Sequence, residues 1–523
     1  MSYIVKQKIH GRTYAYEAEN FWDSSKKQSR QKRRYLGVWD ESTGQIIPKT
    51  AERDVKTTKI FGSPYLLDAI CNEIDLRKKL SKAFGEDGDA ILGMAISKLL
   101  CPTSLKNMHH IFEDSFIPEM YSLQESFNSQ WLSNFLNRLA SKESGMESFY
   151  RSLIDGDKET LVYDITSLSS NSKNIDWLEY GYNRDGLDLP QVNLGLVLSI
   201  ERQIPLYYKI FPGSINDVVT LKNLVAEVKS FGIVKSMFIL DRGFYSENNI
   251  EEMNSSKIDF IIPLPFGVKI GKGMISETNR DIENPVNAKR YEGDIYYVME
   301  QDVDIGEVKA YGYILYNKKR ESVELNSFFN RIIDIESNLE GKEVRGNPRD
   351  IFNQVAGYFA KYFEFEVKDK VIHLKRRSNA ISQAVNRFGK VILLSSIKRR
   401  WDEVLSLYRQ REIVEKEFDN LKNELDVMPM RVSKVSTLKG LLFIFFISLI
   451  IRSLLLQKAR NAELLGKNSI EDILLDLGKL RAVKIGGAWK LTEITKRERT
   501  VLEKIGVAIP IEPKNMVIKK AGV

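Results

Sequence analysis

The clearest indication of the fold is the stretch "SMFILDRGFYSENNIEEMNSSKIDFIIPLP", which runs from Ser236 to Pro265. Its two apolar ends are typical of β-strands, and the polar segment between them has the periodicity of a helix. Asp241 stands directly after the first of these strands. Functional side chains of open α/β sheets gather at the carboxyl ends of the strands, so Asp241 is a candidate site residue.

A second carboxylate stands in an equivalent place upstream. The segment TLVYDITSL predicts a strand over 160–168, and Asp164 stands where its apolar part runs out. The order β-β-β-α-β-α-β is completed by two strands and a helix, at 192–200, 204–211 and 218–231. Neighbouring strands would bring Asp164 and Asp241 together, and divalent metal ions would relieve their repulsion. The alternative is that both are turn or helix-cap residues, which are common at strand ends.

Changes of pattern along the 523 residues predict several domains. We expect an α/β protein whose catalytic core is interrupted by an inserted mixed, β-containing domain. The predicted boundaries are 1–60 for a basic β-rich region, 61–152 for a helical domain, 153–265 and 389–460 for the two parts of the core, 266–388 for the insertion, and 461–523 for a C-terminal region.

Charge and composition favour a nucleic-acid partner. The chain has 43% hydrophobic residues, as a folded protein does, and a net charge of +8. The two cysteines, and the four histidines at His10, His109, His110 and His373, have no ligand spacing. This argues against a disulfide framework and a structural zinc site, and it favours a reducing compartment.

The most apolar run predicts a buried helix. It is GLLFIFFISLII, from Gly440 to Ile451, and it meets Arg452 after about a dozen residues. A helix needs about 20 apolar residues to cross a bilayer, so a membrane segment is not expected. The start of the chain, MSYIVKQKIHG, has no apolar segment of the kind that a signal peptide needs.

The N-terminal region combines β-hairpin patterns with a basic run. Residues 3–17 alternate around His10–Gly11, which predicts a hairpin. The run KKQSRQKRR, flanked by Trp22 and Tyr35, has six basic residues in nine. It predicts contact with DNA phosphates, and a solvated hairpin loop is the alternative. The contacting side chains would be Lys26, Lys27, Arg30, Lys32, Arg33 and Arg34.

The segment YRQREIVEKEFDNLK, from 408 to 422, predicts a single helix. At about 100° per residue, four of its side chains form a polar strip about 60° wide, namely Tyr408, Arg411, Glu415 and Lys422. The strip borders an apolar stripe of Leu407, Val414, Phe418, Leu421 and Leu425, whereas Arg409, Glu417 and Glu424 point elsewhere. Glu415 could therefore reach a site on the sheet. Periodicity alone leaves Glu412 and Asp419 open as the third acid.

Together these motifs resemble the DDE insertion-sequence transposases whose third acid lies in a Tyr-x2-Arg-x3-Glu-x6-Lys signature. Tyr408, Arg411, Glu415 and Lys422 match its spacing. The motifs YDITS, around Asp164, and DRGFYS, from 241 onward, are similar to the first and second acid motifs of that class. The resemblance implies a ribonuclease H-like catalytic core that contains a β-rich insertion.

The resemblance also implies two-metal phosphoryl transfer. Asp164, Asp241 and Glu415 would hold two Mg²⁺ or Mn²⁺ ions per active site. The reaction would be hydrolytic nicking at an element end, followed by strand transfer by the freed 3′-hydroxyl. Arg411 and Lys422 would grip phosphates, and Tyr408 would contact phosphate or stack near the terminal nucleotides. Arg242 is a further candidate, for DNA contact or for a structural salt bridge.

The implied partners are double-stranded DNA with terminal inverted repeats and a target DNA. We expect a homodimer in the DNA complex, DNA binding by the helical domain, no membrane association, and a place at the nucleoid of a prokaryotic cytoplasm. Two other functions stay open. One is a metal-dependent nuclease that stops after hydrolysis, and the other is a DNA-binding protein with an inactive site.

Overall fold

The structure is a computed structural model, and the chain divides into two units. The first unit comprises Met1–Lys142 and Ser436–Val523, and the second comprises Glu143–Val435. The residues described are 2–9, 12–24, 26–41, 43–48, 55–104, 107–123, 127–154, 158–172, 174–232, 235–278, 281–343, 346–428, 430, 432–466 and 468–513. The turn predicted at His10–Gly11 lies outside them.

The N-terminal strands form an antiparallel sheet of order β1-β2-β3-β4. Their bounds are β1 Ser2–Ile9, β2 Arg12–Asp23, β3 Gln28–Trp39 and β4 Ile46–Pro48. The predicted hairpin strands are confirmed. The basic run is not a loop beyond Lys27, because β3 begins at Gln28 and includes Arg30 to Arg34. Opposite charges across the strands favour this pairing, with Glu17 opposite Arg34 and Glu19 opposite Lys32.

The predicted helical region of the first unit is helical in the structure. A strand, β5 Val55–Ile60, precedes it. The helices are α1 Gly62–Cys71, α2 Leu76–Phe84, α3 Asp87–Leu100, α4 Met108–Asp114, α5 Ile117–Met120 and α6 Ser129–Ala140. α2 and α6 bury one apolar stripe, whereas α1 and α3 are buried on nearly all sides.

The second unit contains a large central sheet and the helices that accompany it. In chain order its elements are α7 Glu143–Leu153, β6 Lys158–Ser169, β7 Gln191–Ser199, β8 Ile204–Pro212, α8 Asp217–Ser230, β9 Lys235–Leu240, α9 Glu247–Ser255, β10 Asp259–Pro263, α10 Lys269–Thr278, β11 Ala288–Tyr291, β12 Asp294–Ile305, β13 Val308–Tyr316, α11 Lys318–Leu339, α12 Pro348–Ala356, β14 Phe363–Lys368, β15 Val371–Arg376, α13 Ser378–Val385, β16 Lys390–Ser395, α14 Trp401–Arg409 and α15 Glu412–Asp419. The predicted order of elements between 160 and 265 is confirmed, and the protein is mixed α/β.

The central sheet has nine strands in the order β11-β12-β13-β16-β10-β9-β6-β7-β8. β9 runs parallel to both of its neighbours, β6 and β10, and the other pairs are antiparallel. β7 is buried along its whole length, which explains why its sequence is a continuous apolar run instead of an alternation.

The predicted insertion of 266–388 is not a separate body over its whole length. β11, β12 and β13 extend the central sheet, and β13 pairs with β16 from Tyr311 opposite Ser395 to Tyr316 opposite Lys390. Only the later part has its own core, which is built by α11, α12, β14, β15 and α13. Alternating patterns predict strands, but they do not say which sheet a strand joins.

The apolar segment forms part of a longer helix, α16 Val435–Asn461, of 27 residues. By length and composition alone this helix could cross a membrane, but 89% of its most apolar window is buried within the protein. The predicted buried helix is confirmed, and it continues through Arg452. Arg452 is itself buried, and its charge is paired with Glu471 at 3.1 Å.

By its contacts α16 belongs to the first unit, whereas the sequence analysis grouped 389–460 as one part of the catalytic core. Its side chains pack on the first helices: the ring of Phe443 lies 5.2 Å from that of Phe84. Ser448 Oγ donates to the carbonyl of Ala95 at 3.0 Å. The remaining elements are α17 Ile470–Leu477, β17 Arg481–Ile485, β18 Ala488–Leu491 and α18 Lys496–Ile505, and β17 pairs with β5 and β18.

Candidate active site

The two candidate aspartates lie side by side on neighbouring strands of the central sheet. β6 and β9 are parallel neighbours, with Tyr163 opposite Leu240, and Asp164 and Asp241 are the next residues of the two strands. The strand predicted over 160–168 is confirmed as β6, which continues past Asp164 to Ser169 in pairing with β7. Only β9 stops there, since the chain turns after Leu240 into a short 3₁₀ helix.

The single helix predicted over 408–422 is interrupted. α14 ends at Arg409, α15 begins at Glu412, and Asn420–Glu424 form a π-helical turn. Glu417, which was predicted to point elsewhere than the polar strip, is 4% exposed and lies on the buried face of α15 beside Val414 and Phe418.

The guanidinium of Arg411 joins the three predicted acids. Its Nη1 lies 3.3 Å from Asp164 Oδ2 and 3.8 Å from Asp241 Oδ1, and its Nη2 lies 2.7 Å from Glu415 Oε1. The Arg411 side chain is only 18% exposed. Acids from three distant segments therefore surround one positive charge, and Glu415 is the acid of α15 that takes part.

Asp164 is the most desolvated of these carboxylates, with 15% of its side chain exposed. Burial raises the pKa of Asp164 to about 6, and the nearby Asp241 adds to the rise. The backbone N–H of Ile165, which donates to Oδ1 at 2.8 Å, and the Arg411 guanidinium lower the pKa. A neighbouring cation therefore favours the ionised form of Asp164.

Tyr408 and Arg411 are neighbours across the interruption between α14 and α15. The guanidinium carbon lies 5.9 Å from the centre of the Tyr408 ring. Burial raises the pKa of Tyr408. The charge of Arg411 lowers this pKa, and the charge of Asp241 raises it further. Burial lowers the pKa of Arg411, but Asp241, Tyr408 and the other two acids outweigh it, so that this pKa is raised. The pair is a neutral phenol beside a permanent cation.

Lys422 is held by an acid that the sequence analysis did not single out. Its Nζ lies 2.6 and 2.7 Å from the two carboxylate oxygens of Asp185, in the loop between β6 and β7. The same loop contributes Arg184, which pairs with Asp217 at 2.5 Å. The sequence of this segment, YNRDG at 182–186, predicts only a turn. It has no periodicity that would indicate its position beside Lys422.

Apart from Tyr408, which is outside the lining, the site residues described above line one open cleft of about 750 Å³. Its walls include the three acids, Arg411, Lys422 and loop residues such as Tyr182, whose ring is 81% exposed. Arg242 also lines the cleft and is exposed, in the 3₁₀ helix after β9. Asp419 is exposed and also lines the cleft, whereas Glu412 is exposed outside the lining.

The basic run lies in the first unit, on the hairpin of β2 and β3. All six of its Lys and Arg side chains are exposed. Arg30 Nη1 lies 3.3 Å from Asp23 Oδ2, and Arg34 Nε lies 3.8 Å from Glu17 Oε2. Ion pairs this exposed contribute little to stability, so the run remains available to a polyanion.

The chemistry of the three acids fits a divalent metal ion. As the described side chains lie, no group of three or more His, Cys, Asp or Glu residues is arranged to hold a metal. Arg411 lies among the acids and takes the place of such a cation. Three carboxylates that already share one positive charge are the oxygen donors that Mg²⁺ and Mn²⁺ prefer.

A family model described as "Transposase DDE domain" matches residues 155–451, more than half of the 523 residues. The chain belongs to the DDE transposase family. The matched range contains Asp164, Asp241, Arg411 and Glu415, and the family read from the sequence motifs is confirmed.

Among solved structures, this DDE family member is similar to a cryo-EM structure of the piggyBac transposase synaptic complex with hairpin DNA. The identity is 11%, the TM-score is 0.36, and the similarity covers 80% of this chain and 76% of that chain. A comparison with curated proteins finds no match.

Proposed function

We propose that this protein is a DNA transposase that cuts and joins the ends of an insertion sequence. The observation that carries the proposal is the convergence of Asp164, Asp241 and Glu415 on Arg411 within a DDE domain. Such a cluster of acids in an open cleft suits chemistry on a phosphodiester, whose reaction develops negative charge that bound cations stabilise.

Asp164, Asp241 and Glu415 are the residues that would hold two Mg²⁺ or Mn²⁺ ions. When bound there, the ions would lower the pKa of the attacking hydroxyl and stabilise charge on the leaving oxygen. In the protein without metal, Arg411 keeps the three carboxylates gathered by offsetting their mutual repulsion. Because burial raises the pKa of Asp164, a metal cation bound beside it would favour its ionised form.

The cationic signature residues are suited to hold DNA phosphates beside the scissile bond. Arg411 now pairs with the acids, and Lys422 pairs with Asp185. A phosphate can replace a carboxylate at either residue, since both form charge-assisted hydrogen bonds to phosphate oxygens. Tyr408 would contact a phosphate or stack on a terminal nucleotide, and Arg242 would reach DNA from the rim.

The reaction would have two steps. In the first, water attacks a phosphodiester at the element end, and the 3′-oxygen leaves and takes up a proton. In the second, the freed 3′-hydroxyl loses its proton and attacks a phosphodiester of the target, whose own 3′-oxygen leaves. The site must therefore bind a cleaved end and a target strand, and we propose a homodimer that holds two ends.

The wider organisation of the molecule is part of the same proposal. A ribonuclease H-like core is supported by the parallel pair β6 and β9, which carries two acids at one edge. The DNA partners would carry terminal inverted repeats, and the N-terminal hairpin and the helical domain would bind them outside the catalytic core. The protein would act at the nucleoid of a prokaryotic cytoplasm.

The test compares Glu415→Gln with Glu412→Gln, a matched change on the same helix outside the Arg411 cluster. The substrate is plasmid DNA containing the sequences that flank the coding region, supplied with Mg²⁺. We expect Glu415→Gln to abolish nicking and joining while DNA binding persists, and Glu412→Gln to keep all three activities. Unchanged cleavage in Glu415→Gln would contradict the proposal.

Pre-cleaved ends with a free 3′-hydroxyl separate the transposase from the two alternatives. Joining of these ends to a target plasmid supports a transposase. Cleavage of intact DNA without joining identifies a metal-dependent nuclease. DNA binding by the wild type with neither reaction identifies an inactive DNA-binding protein.

A further inference from the structure

The hairpin of β2 and β3 continues beyond the sheet as a two-stranded ribbon. β1 pairs with β2 only as far as Ser2 opposite Glu19, whereas β2 and β3 remain paired as far as Asp23 opposite Gln28. The turn at its tip carries Lys26 and Lys27, both exposed. The ends of β2 and β3 therefore form a narrow ribbon with two exposed lysines at its tip.

The register assigns the side chains of this ribbon to two different faces. On one face, Gln31 Nε2 donates to Tyr3 Oη at 2.5 Å, and Tyr3 Oη donates to Asn20 Oδ1 at 3.4 Å. Arg33 Nε donates to Gln31 Oε1 at 2.5 Å. Trp22 lies on the same side and is 66% exposed. We call this side, made of Tyr3, Asn20, Trp22, Gln31 and Arg33, the amide face.

The opposite face carries charges of both signs. Its members are Glu17, Glu19, Asp23, Arg30, Lys32 and Arg34. In the described stretches of β1, β2 and β3 there are seven Lys or Arg residues and three Asp or Glu residues, and all three acids lie on this opposite face. The amide face is therefore free of negative charge, and the ribbon as a whole is basic.

We propose that the amide face reads base edges in the major groove of duplex DNA. The major groove admits a two-stranded β-ribbon. There, Gln31 and Asn20 can each pair with an adenine, and Arg33 can pair with the N7 and O6 acceptors of a guanine. Lys26 and Lys27 at the tip would contact the phosphates that border the groove.

The hydrogen bonds within the amide face suit this role. They hold Gln31 and Arg33 in one orientation in the free protein, which lowers the entropy lost when a base edge replaces the intramolecular partner. The inference rests on the proposed function and deepens it, because it identifies the surface that selects the DNA sequence. It does not depend on catalysis.

The test uses the full-length protein and a library of DNA duplexes with a random core of about 25 base pairs, which spans roughly two turns of the double helix. Bound duplexes are selected and sequenced for the wild type, Gln31→Ala, Arg33→Ala and Arg34→Ala. Arg33→Ala and Arg34→Ala are a matched pair, because each removes one exposed arginine. The two residues are adjacent in β3, and their side chains lie on opposite faces of the ribbon. Thermal melting verifies that each variant is folded, and Gln31→Ala alters no charge.

The wild type should enrich a defined sequence. Gln31→Ala and Arg33→Ala should each lose the preference at one or two base pairs, with affinity for the selected sequence about 5- to 100-fold lower. Arg34→Ala should keep the sequence preference and weaken binding to all duplexes alike, with a smaller salt dependence. An unchanged preference in both amide-face variants, or no preference in the wild type, overturns the inference.

The same proteins separate this inference from the proposed function. If the amide face governs selection but no variant or wild type cleaves DNA, the inference stands and the proposed catalysis fails. If cleavage depends on Glu415 but the selected DNA sequence is the same in Gln31→Ala and Arg33→Ala as in the wild type, the proposed function stands and the inference fails.

Discussion

Replacing Asp164 with Asn should stabilise the metal-free protein at neutral pH but not at acidic pH. Asn resembles the protonated form of Asp in shape and cannot ionise. In the wild type, the buried Asp164 has a pKa raised from 3.8 to about 6. A group whose pKa is higher in the folded state contributes stability that is present below the unfolded pKa and is lost as the pH rises through the folded pKa.

The magnitude follows from the size of this shift. Each pKa unit corresponds to about 1.4 kcal/mol, so a rise of about two units costs the wild type about 3 kcal/mol of folding free energy between pH 4 and pH 7. Asp164 is 15% exposed, so solvent screens little of this cost. The stability of Asp164→Asn relative to the wild type should therefore increase by about 3 kcal/mol over that range.

The assay is urea denaturation in EDTA at several pH values from 4 to 8. A probe placed in the second unit monitors its unfolding. Ile165→Val, a non-titrating change on the same strand, should show a difference from the wild type that is independent of pH. A pH-independent difference for Asp164→Asn, or a loss of stability at pH 7.5, would show that Arg411 fully compensates the burial of Asp164 and that the reasoning is wrong.

Three further predictions concern other parts of the molecule. Arg411→Ala should tighten Mn²⁺ binding to the DNA-free protein by about tenfold or more, measured by electron paramagnetic resonance, because the competing cation is removed; weaker or unchanged Mn²⁺ binding would contradict this. Lys422→Ala should weaken binding of pre-cleaved DNA ends by about 5- to 10-fold and barely change the melting temperature, since a partly exposed ion pair adds little stability; equal affinity in a fluorescence titration would remove Lys422 from the DNA site. Gly440→Ala should destabilise the first unit by about 2 to 4 kcal/mol in thermal melting, because a Cβ there would collide with the backbone carbonyl of Leu136, whereas Gly466→Ala, in open space, should be tolerated.

Local patterns predicted the strands and helices around the site because each depends on neighbours in sequence. The alternation and apolar runs between 160 and 265 required no knowledge of distant residues. The meeting of Asp164 and Asp241 also followed, since both acids come directly after the last paired residues of two parallel neighbouring strands. The family signature added Glu415 and Arg411 to this pair.

What the sequence did not predict depends on contacts between distant segments. The interruption at Gln410 and Arg411 does not show in the periodicity of the segment, which reads as one ideal helix. Lys422 and Asp185 are 237 positions apart, and Asp185 lies in a loop without periodicity. The assignment of α16 to the first unit also depends on long-range packing, because an apolar stripe does not identify its partner.

The measurement that bears most directly on the central claim is anomalous X-ray scattering from Mn²⁺ in crystals of the protein with a pre-cleaved DNA end. The account predicts manganese peaks coordinated by the carboxylates of Asp164, Asp241 and Glu415, with Arg411 moved onto a DNA phosphate. Manganese bound elsewhere, with the three acids still gathered around the Arg411 guanidinium, would contradict it.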